Sequence, residues 1–420
     1  MANIHTPKKY VTKAYQTLTH QGLKVLAGKT LKKIASVLYR RGDSLTSDYS
    51  LNSTSFKSIV DRRDVLLADT RKVNITGKRK KPTKKINWVI SPPRSGGGHQ
   101  NMFRFIEHLD KHGYKNSIYL YSTEDKMSTG EATLNVSRYA DLKNASFYQY
   151  THGAAMGSAD AIFATGWETA YPVLNDNTGA EKFYFIQDFE PLFYPVGTEY
   201  ILAENTYRFG FTGITAGKWL SEKLTKEYGM KCTSYDFGAE SGLYSYSNKG
   251  ERKEVFFYAR PVTERRAFDL GIMVLELFHE MHPDYIINLA GWDVKDYKIP
   301  FPYINHKTMP LEDLAALYNK CAVGLVLSLT NMSLMPLELL ACGVIPVVNE
   351  GMNNKLVSDN PYIAYASATP RELAEKMSEV ITSGGDIGAR AARAAKSVPT
   401  AGWEKSKEEF ISILEKELYG

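Results

Sequence analysis

Short apolar runs alternate with amphipathic stretches through most of this chain, beginning near residue 87. A short apolar run bounded by turn residues is typical of a buried strand, whereas apolar positions three and four residues apart indicate a helix. The first series predicts strands at residues 87–91, 117–121, 161–165, 183–187 and 211–215. Helices are predicted between them, for example at residues 100–111 and 218–228. Strands that alternate with helices predict an α/β fold with a parallel, doubly wound sheet.

A glycine-containing region at residues 232–253 separates this series from a second one and is the predicted domain boundary. The second series predicts strands at residues 255–258, 285–289, 324–328, 345–348 and 363–366. Its predicted helices cover residues 265–281, 311–319, 334–342 and 371–382, and an amphipathic helix at 403–418 closes the chain. We therefore expect two doubly wound, Rossmann-like domains at 86–245 and 246–400, with their carboxyl edges facing across a cleft. A basic extension at 1–85 precedes them, and for the last helix (401–420) packing against the first domain is one option.

The composition suits a well-packed globular protein, with 43% hydrophobic and 12% aromatic residues. Three widely spaced cysteines show no disulfide framework and no metal-ligand spacing, which favours a cytoplasmic setting. The longest apolar runs fall well short of the roughly 20 residues that a membrane-spanning helix needs. No transmembrane helix and no secretory signal peptide are expected.

Positive charge is concentrated in the first 85 residues, which hold 20 Lys/Arg against 5 Asp and no Glu. Within them, residues 14–41 predict a basic helix with an apolar stripe that includes Leu31, Ile34 and Leu38. Such a helix can lie on an anionic membrane surface, which would make the protein peripheral at the membrane through residues 1–41. The alternative is that the stripe docks on the protein itself. Nucleic acid is not an expected partner, because few aromatic residues are interleaved with the basic ones.

Residues 325–348 predict a strand, a polar loop, a helix and a second strand. The loop carries Thr330, Asn331 and Ser333, and the helix carries one acid, Glu338. Ligands of open α/β sheets bind beyond the carboxyl ends of the strands, so a small anionic molecule is the expected guest here. Glu338, among leucines, would accept hydrogen bonds from vicinal ribose hydroxyls; its alternative role is that of an N-terminal helix acid.

Two further segments predict phosphate contacts at the same edge. SPPRSGGGHQN (91–101) follows the first strand, and its glycines allow a backbone to approach a diphosphate closely; the alternative is a tight turn. FFYARPVTERRA (256–267) opens the second domain and places Arg260, Arg265 and Arg266 near the cleft. Guanidinium groups donate paired hydrogen bonds to phosphate, although a surface network with Glu264 is the alternative.

An aromatic segment of the first domain, YFIQDFEPLFYP (184–195), places Gln187, Asp188 and Glu190 beyond a strand end. Aromatic faces and carboxylates together suit a sugar acceptor, although a packed aromatic core with a polar cap gives the same residue pattern. Arg94 and His99 of the glycine loop are assigned to the same acceptor side. The neighbouring strand end ATGWET (164–169) is a weaker candidate for that wall.

The glycine loop, the Arg260/Arg266 pair and PLELLACG (336–343) together resemble retaining nucleotide-sugar glycosyltransferases of family 4. The segments FIQDFEPLFY (185–194) and TNMSLMPLE (330–338) look like the WsaF-type rhamnosyltransferases that build bacterial surface glycans. The resemblance covers residues 86 to about 400. It implies the GT-B architecture, a dTDP-β-L-rhamnose donor, a glycan or lipid-linked glycan acceptor, and no metal or other cofactor.

The resemblance also implies roles for matching residues. Arg260 and Arg266 would bind the diphosphate, Glu338 the ribose, and Gly97 and Gly98 the phosphate side facing them. The wider family has a Glu eight positions before its second Glu, but Thr330 stands there, which leaves the identity of the sugar open. The family His of the first domain has no clear counterpart either.

The implied reaction is a front-face displacement in which the leaving diphosphate accepts the acceptor proton, with Arg260, Arg266 and Asp188 as the catalytic set. Asp188 would orient the acceptor. Two other classes stay open: a nucleotide-sugar epimerase of the same two-domain shape, and a non-catalytic glycan-binding scaffold of a polymerase assembly.

Overall fold

A computed structural model of the protein describes residues 60–70, 82–94, 96–240, 242–383, 386–399 and 402–420. The predicted basic helix at 14–41, and with it the predicted membrane contact, lies outside these residues. Within them, no helix combines the length and apolar character needed to cross a bilayer.

The first sheet contains seven parallel strands in the order β3-β2-β1-β4-β5-β6-β7. Their bounds are β1 Lys85–Ile90, β2 Lys115–Leu120, β3 Ala145–Gln149, β4 Ala161–Ala164, β5 Glu181–Ile186, β6 Thr212–Ala216 and β7 Cys232–Tyr235. The five predicted strands are all present, whereas the two edge strands, β3 and β7, were not predicted. Strand β7 shortens the predicted separating region 232–253, because residues 232–235 pair with β6 in the first sheet, within the predicted first domain 86–245.

Helices pack on both faces of this sheet. They are α1 Arg62–Ala68, α2 Gly97–Lys111, α3 Thr129–Val136, α4 Trp167–Asn175, α5 Thr198–Thr206 and α6 Lys218–Tyr228. Helix α1 lies in the predicted extension, yet its fully buried Asp64 accepts hydrogen bonds from Tyr150 Oη and His152 Nδ1 of the first domain. Residues 62–68 are therefore part of the first domain, which corrects the extension predicted for 1–85.

The second sheet has six parallel strands in the order β10-β9-β8-β11-β12-β13. Their bounds are β8 Glu254–Tyr258, β9 Ile286–Ala290, β10 Ile304–Lys307, β11 Cys321–Val326, β12 Ile345–Asn349 and β13 Ala364–Ala366. The associated helices are α7 Phe268–Met281, α8 Leu311–Tyr318, α9 Met335–Ala341, α10 Met352–Lys355, α11 Pro370–Thr382 and α12 Ile387–Lys396. The helix predicted at 265–281 is in fact a 3-10 turn, Glu264–Arg266, followed by α7. Ala267 separates the two with a φ of 47°, so the turn aims its arginines independently of the helix axis.

The last helix, α13 (Glu404–Tyr419), packs against the first domain although it follows the second in sequence. Its Phe410 ring lies 5.0 Å from Phe105, 5.9 Å from Phe163 and 6.4 Å from Trp88. Tyr419 Oη donates to Asp160 Oδ2 at 2.7 Å. The end of the chain therefore completes the core of the first domain.

The carboxyl ends of the two sheets meet. In the first sheet the strand order reverses between β1 and β4, and in the second between β8 and β11. Ligands of doubly wound sheets bind at such switch points. The loops that follow these strands, together with the loop after β5, form the inter-domain crevice described next.

Candidate functional site

Asp188, which follows β5, is the hub of contacts between the two domains. Its Oδ1 accepts hydrogen bonds from the backbone N–H groups of Phe189 and Asn331, both at 2.8 Å. Its Oδ2 accepts the Thr330 hydroxyl at 2.7 Å and lies 3.7 Å from Arg265 Nε. Burial raises the pKa of Asp188, while the Asn331 N–H, the Thr330 hydroxyl and the nearby arginines oppose that rise. Both carboxylate oxygens are therefore occupied, mainly by the second domain.

The loop that Asp188 contacts is held firmly in place. Asn331 Nδ2 donates across the crevice to the carbonyls of Gln187 at 3.0 Å and Ala216 at 2.8 Å. Behind the loop, the Ser328 N–H donates to Asn349 Oδ1, and the Leu329 N–H donates to the Arg265 carbonyl. Thr330 and Asn331 are each only 2% exposed. These two predicted donor-binding residues contact the opposite domain in this arrangement.

The Thr330–Asp188 contact gives a physical reason for the missing family acid. A glutamate at position 330 would bring a second carboxylate against Asp188, and like charges at that distance disfavour ionisation of both. Threonine instead supplies a donor to the same oxygen at 2.7 Å. Thr330, which stands where the family has a glutamate, therefore suits the Asp188 carboxylate that it contacts.

Three arginines of the second domain surround this contact. Arg266 Nη1 donates to Ser328 Oγ at 2.6 Å, and burial lowers the pKa of Arg266. Arg265 stacks over the Phe193 ring at 4.2 Å. Arg260 donates to Tyr258 Oη and Thr263 Oγ1, both at 3.1 Å. Each guanidinium has further N–H groups, so three permanent positive charges lie at the crevice, and those of Arg265 and Arg266 act on the Asp188 carboxylate.

Glu338 lies in the first turn of α9, at the edge of the second domain that faces the crevice, and its side chain is half-buried. Among the described residues its carboxylate has neither a hydrogen bond nor an ion pair. Burial raises its pKa to about 7, with Arg104 of the first domain acting in the opposite direction. A ligand that donates hydrogen bonds would stabilise the charged form of Glu338, because burying an unpaired carboxylate is unfavourable. Ser333, two residues before α9, is also half-buried.

The glycine loop enters α2 at the same edge. A Cβ atom added at Gly96 or Gly97 would meet nothing within 4 Å, so packing within the described protein does not require glycine at these positions. Gly98 accepts a hydrogen bond from Gln187 Nε2 at 3.0 Å, and Gln187 Oε1 accepts one from Asn101 Nδ2 at 2.9 Å. Gln187 therefore links the start of α2 to the end of β5 and adjoins the crevice.

The other two predicted residues of the glycine loop, Arg94 and His99, make side-chain contacts outside the network around Asp188. Arg94 is exposed and pairs with Asp125 at 2.5 Å, so its guanidinium does not join the network around Asp188. His99 Nε2 lies 3.3 Å from Ser91 Oγ, and burial lowers the pKa of its ring. The structure thus brings together Gln187, Asp188 and the arginines, but not Arg94.

Glu190 lies beside a second acid, Glu168, which the sequence pattern did not single out. Glu190 Oε2 accepts the Trp167 N–H at 2.6 Å and the Tyr184 hydroxyl at 3.1 Å. Burial, and then the neighbouring Glu168 carboxylate, raise the pKa of Glu190 well above its ordinary value. Glu168 folds back so closely that a Cβ on Gly166 would lie 2.7 Å from its Oε2. The signal available in the sequence was the segment 164–169, whose glycine makes room for this acid.

Comparison with known families matches both parts of the site. Residues 148–216 match the N-terminal domain of WsaF, and residues 253–378 match its C-terminal domain. The first match contains Asp188 and Glu190, and the second contains the arginines, Thr330 and Glu338. The GT-B fold expected from the sequence is confirmed by solved structures with the same fold.

One curated relative, the O-antigen biosynthesis protein RfbC of Myxococcus xanthus, is 33% identical over 269 residues, or 62% of this chain. The match covers 21% of RfbC, so the chain spans about a fifth of that relative. Anabaena HepE, solved with UDP and glucose, has a TM-score of 0.60 at 13% identity and covers 79% of this chain and 99% of its own. A Rickettsia africae glycosyltransferase has a TM-score of 0.57 at 11% identity, covering 81% and 99%. A putative UDP-N-acetylglucosamine 2-epimerase from Listeria monocytogenes scores 0.51 at 9% identity, covering 79% and 96%, so the fold alone does not distinguish these reactions.

Proposed function

We propose that this chain is a glycosyltransferase of bacterial surface-glycan synthesis, because residues 148–216 and 253–378 match the two domains of WsaF and the fold is GT-B. Its proposed reaction is the transfer of L-rhamnose from dTDP-β-L-rhamnose to a growing glycan, with retention at the anomeric carbon. The RfbC relative, an O-antigen biosynthesis protein, supports the glycan context. HepE with UDP and glucose supports a nucleotide-sugar donor.

The observation that carries the proposal is the charge arrangement at the second domain's edge. Arg260, Arg265 and Arg266 provide three guanidinium groups near the Asp188 carboxylate, and Glu338 lies at the same edge with no hydrogen bond or ion pair to any described residue. A diphosphate and a ribose are complementary to these two features. Each charge-assisted hydrogen bond is worth about 1.5–3 kcal/mol, so two or three hold the diphosphate and stabilise it as a leaving group.

In the proposed mechanism the acceptor hydroxyl attacks from the face that the diphosphate leaves. The departing phosphate oxygen takes the acceptor proton, and Arg260 and Arg266 neutralise the charge that develops on it. This scheme needs no metal, because the arginines supply the positive charge. The contacts of Asp188 support a positioning role, since both its oxygens already bind the loop that carries Thr330 and Asn331.

The acceptor is proposed to lie on the first domain, along the wall formed by Gln187 and the Glu168–Glu190 pair. Carboxylates accept hydrogen bonds from sugar hydroxyls, and the exposed Phe193 ring, one face of which is covered by Arg265, is an aromatic surface beside them. Among the described residues, the Glu168 carboxylate hydrogen-bonds only to its own backbone, which leaves its oxygens for a ligand.

The direct test is incubation of the full chain with dTDP-, UDP- and GDP-sugars and a short synthetic or lipid-linked rhamnose acceptor, followed by mass analysis. We expect one deoxyhexose to be added from dTDP-β-L-rhamnose, and NMR of the product to show retained anomeric configuration. Transfer of a different sugar would correct the donor, and inversion would correct the stereochemistry.

The same assay separates the competing classes. An epimerase would convert the nucleotide sugar without any acceptor, and the shared fold of the Listeria protein makes this control necessary. A non-catalytic glycan binder would show neither conversion nor thermal stabilisation by dTDP, UDP or GDP. Either result would overturn the proposal.

A further inference from the structure

A second cluster of chemically active side chains lies at the far end of α2 from the crevice. His108 and His112 are one turn apart on α2, and Glu408 faces them from α13. At 1.5 Å per residue, His108 lies about 16 Å along the helix from Gly97. The transfer reaction proposed above makes no use of these three residues.

The distances within the cluster suit a shared ion. His108 Nε2 lies 3.3 Å from Glu408 Oε1, and one ligand atom from each of the three residues lies within 4.8 Å of the others. Two ligands bound tetrahedrally to zinc at about 2.0–2.1 Å are themselves about 3.3 Å apart. His108 Nε2 and Glu408 Oε1 already have that spacing. His112 and Glu408 are exposed, so small side-chain rotations bring the third ligand into place.

A hydrogen bond to the backbone fixes the orientation of the His112 ring. His112 Nδ1 lies 2.8 Å from the His108 carbonyl oxygen, which can only accept, so Nδ1 carries the proton. The lone pair of the neutral ring is therefore on Nε2. A ligating histidine commonly donates its other N–H to a backbone carbonyl in this way, which fixes the ring for the metal.

His108 supplies the observation that points to a ligand. It is 7% exposed, and its Nε2 has no hydrogen bond among the described residues even though Glu408 Oε1 is 3.3 Å away. An imidazole nitrogen and a carboxylate oxygen that face each other at 3.3 Å without a hydrogen bond are both potential ligands of a cation placed between them.

We propose that His108, His112 and Glu408 bind a divalent transition-metal ion of the zinc class. Imidazole and carboxylate ligands suit zinc, and three protein ligands leave the fourth position to water. Two lysines nearby are engaged by other acids, Lys111 by Glu107 at 3.2 Å and Lys407 by Glu404. Because the ligands come from α2 and α13, the ion clamps the C-terminal helix to the first domain.

The test uses the full, tag-free chain after EDTA treatment and dialysis. We expect calorimetric titration with Zn²⁺ to give one site of micromolar or tighter affinity, and Zn²⁺ to raise Tm by a few degrees. Mg²⁺ and Ca²⁺, which prefer oxygen ligands, should do neither. Co²⁺ should give a visible d–d spectrum indicating tetrahedral coordination.

Variants at the two exposed ligands keep the fold intact. His112→Ala and Glu408→Gln should each weaken Zn²⁺ binding at least tenfold and remove the rise in Tm. Glu409→Gln, one residue further on the same helix and paired with Lys405 at 3.5 Å, is the matched control and should bind Zn²⁺ like the unaltered chain. Failure of the unaltered chain to bind Zn²⁺, or equal binding by the His112 and Glu408 variants, would overturn the proposal. These readouts do not depend on glycosyl transfer.

Discussion

At the residue scale, the raised pKa of the buried Glu338 carboxyl group predicts how nucleotide binding depends on pH. Burial raises that pKa to about 7, so much of the residue is neutral near pH 6. Donors from a ribose favour the charged form and lower the pKa in the complex. Nucleotide binding should therefore release a proton, and affinity should rise with pH until the carboxyl group of the free protein is ionised.

We predict that dTDP binds up to about tenfold more tightly at pH 8 than at pH 6, measured by calorimetry. In Glu338→Gln this part of the pH dependence should vanish, while the titration of the nucleotide's own phosphate remains in both proteins. The same pKa shift makes folding stability change with pH in the opposite direction to dTDP affinity. A raised folded-state pKa favours the fold below the ordinary carboxyl pKa, and this contribution is lost as pH rises through about 7. Identical pH profiles for the two proteins would contradict the assignment of Glu338.

A second prediction at this scale concerns Arg260 and Arg266, which we propose bind the diphosphate. Arg260→Ala and Arg266→Ala should each weaken dTDP binding about 10- to 100-fold, because each removes charge-assisted hydrogen bonds. Turnover should fall further still, since the leaving phosphate gains charge in the transition state. Calorimetry and steady-state kinetics measure the two effects separately.

The control for the arginine variants is Arg371→Ala. Arg371 lies in the same domain, its side chain is 76% exposed, and it faces Glu375 at 3.9 Å. Its removal should change neither binding nor turnover. Near-normal turnover in both crevice variants would exclude this role of Arg260 and Arg266.

At the scale of elements, burial decided which strands the sequence could predict. Strands such as β11 and β12 are buried along their whole length, so their apolar runs were recognised to within a few residues. The edge strands β3, β7 and β10 consist of exposed and half-buried positions, apart from the buried Tyr235 of β7, and carry polar residues, so they lack such a run. Their pairing depends on neighbours that are distant in sequence.

The same reasoning explains what was predictable of the site. Residues that follow strands, such as Asp188, Arg260 and Thr330, were expected at one edge because parallel strands end together. That Asp188 and Thr330 bond directly to each other was not expected, because contacts between domains leave no periodic signal. Segment 164–169 was only a weaker candidate, because the position of its Glu168 depends on a backbone turn at Gly166 that the residue pattern does not show.

The C-terminal helix yields a prediction at the element scale. Phe410→Ala should lower the free energy of unfolding by about 3–5 kcal/mol, because the ring is fully buried among Trp88, Phe105 and Phe163. Leu134→Ala, at a position that is 60% exposed on α3, should change it by less than about 0.5 kcal/mol. Urea unfolding measures both. Equal stability of the two variants would show that α13 is dispensable to the first domain.

At the scale of the whole molecule, the loop after β5 and the loop after β11 join the two domains through one buried carboxylate. Asp188 accepts the Thr330 hydroxyl and the Asn331 N–H, and Asn331 in turn donates to Gln187 and Ala216. These bonds hold the crevice edges of the two domains, which we propose bind the donor and the acceptor, in a fixed relative position. A reaction that requires two substrates within bonding distance is sensitive to such positioning.

Asp188→Ala tests this coupling, because it leaves the buried Thr330 hydroxyl and Asn331 N–H without their acceptor, at a cost of about 1–3 kcal/mol each. We expect a lower Tm and a larger radius of gyration by X-ray scattering, with turnover reduced more than dTDP affinity. Thr330→Val should have a smaller effect, and the double variant should fall short of additivity by about 0.5–3 kcal/mol, since the two residues share one hydrogen bond. Asp125→Ala, which removes the exposed partner of Arg94, is the control. Full additivity together with an unchanged radius of gyration would mean that the domains keep their positions without Asp188, and that its place in the reaction must be sought at the acceptor instead.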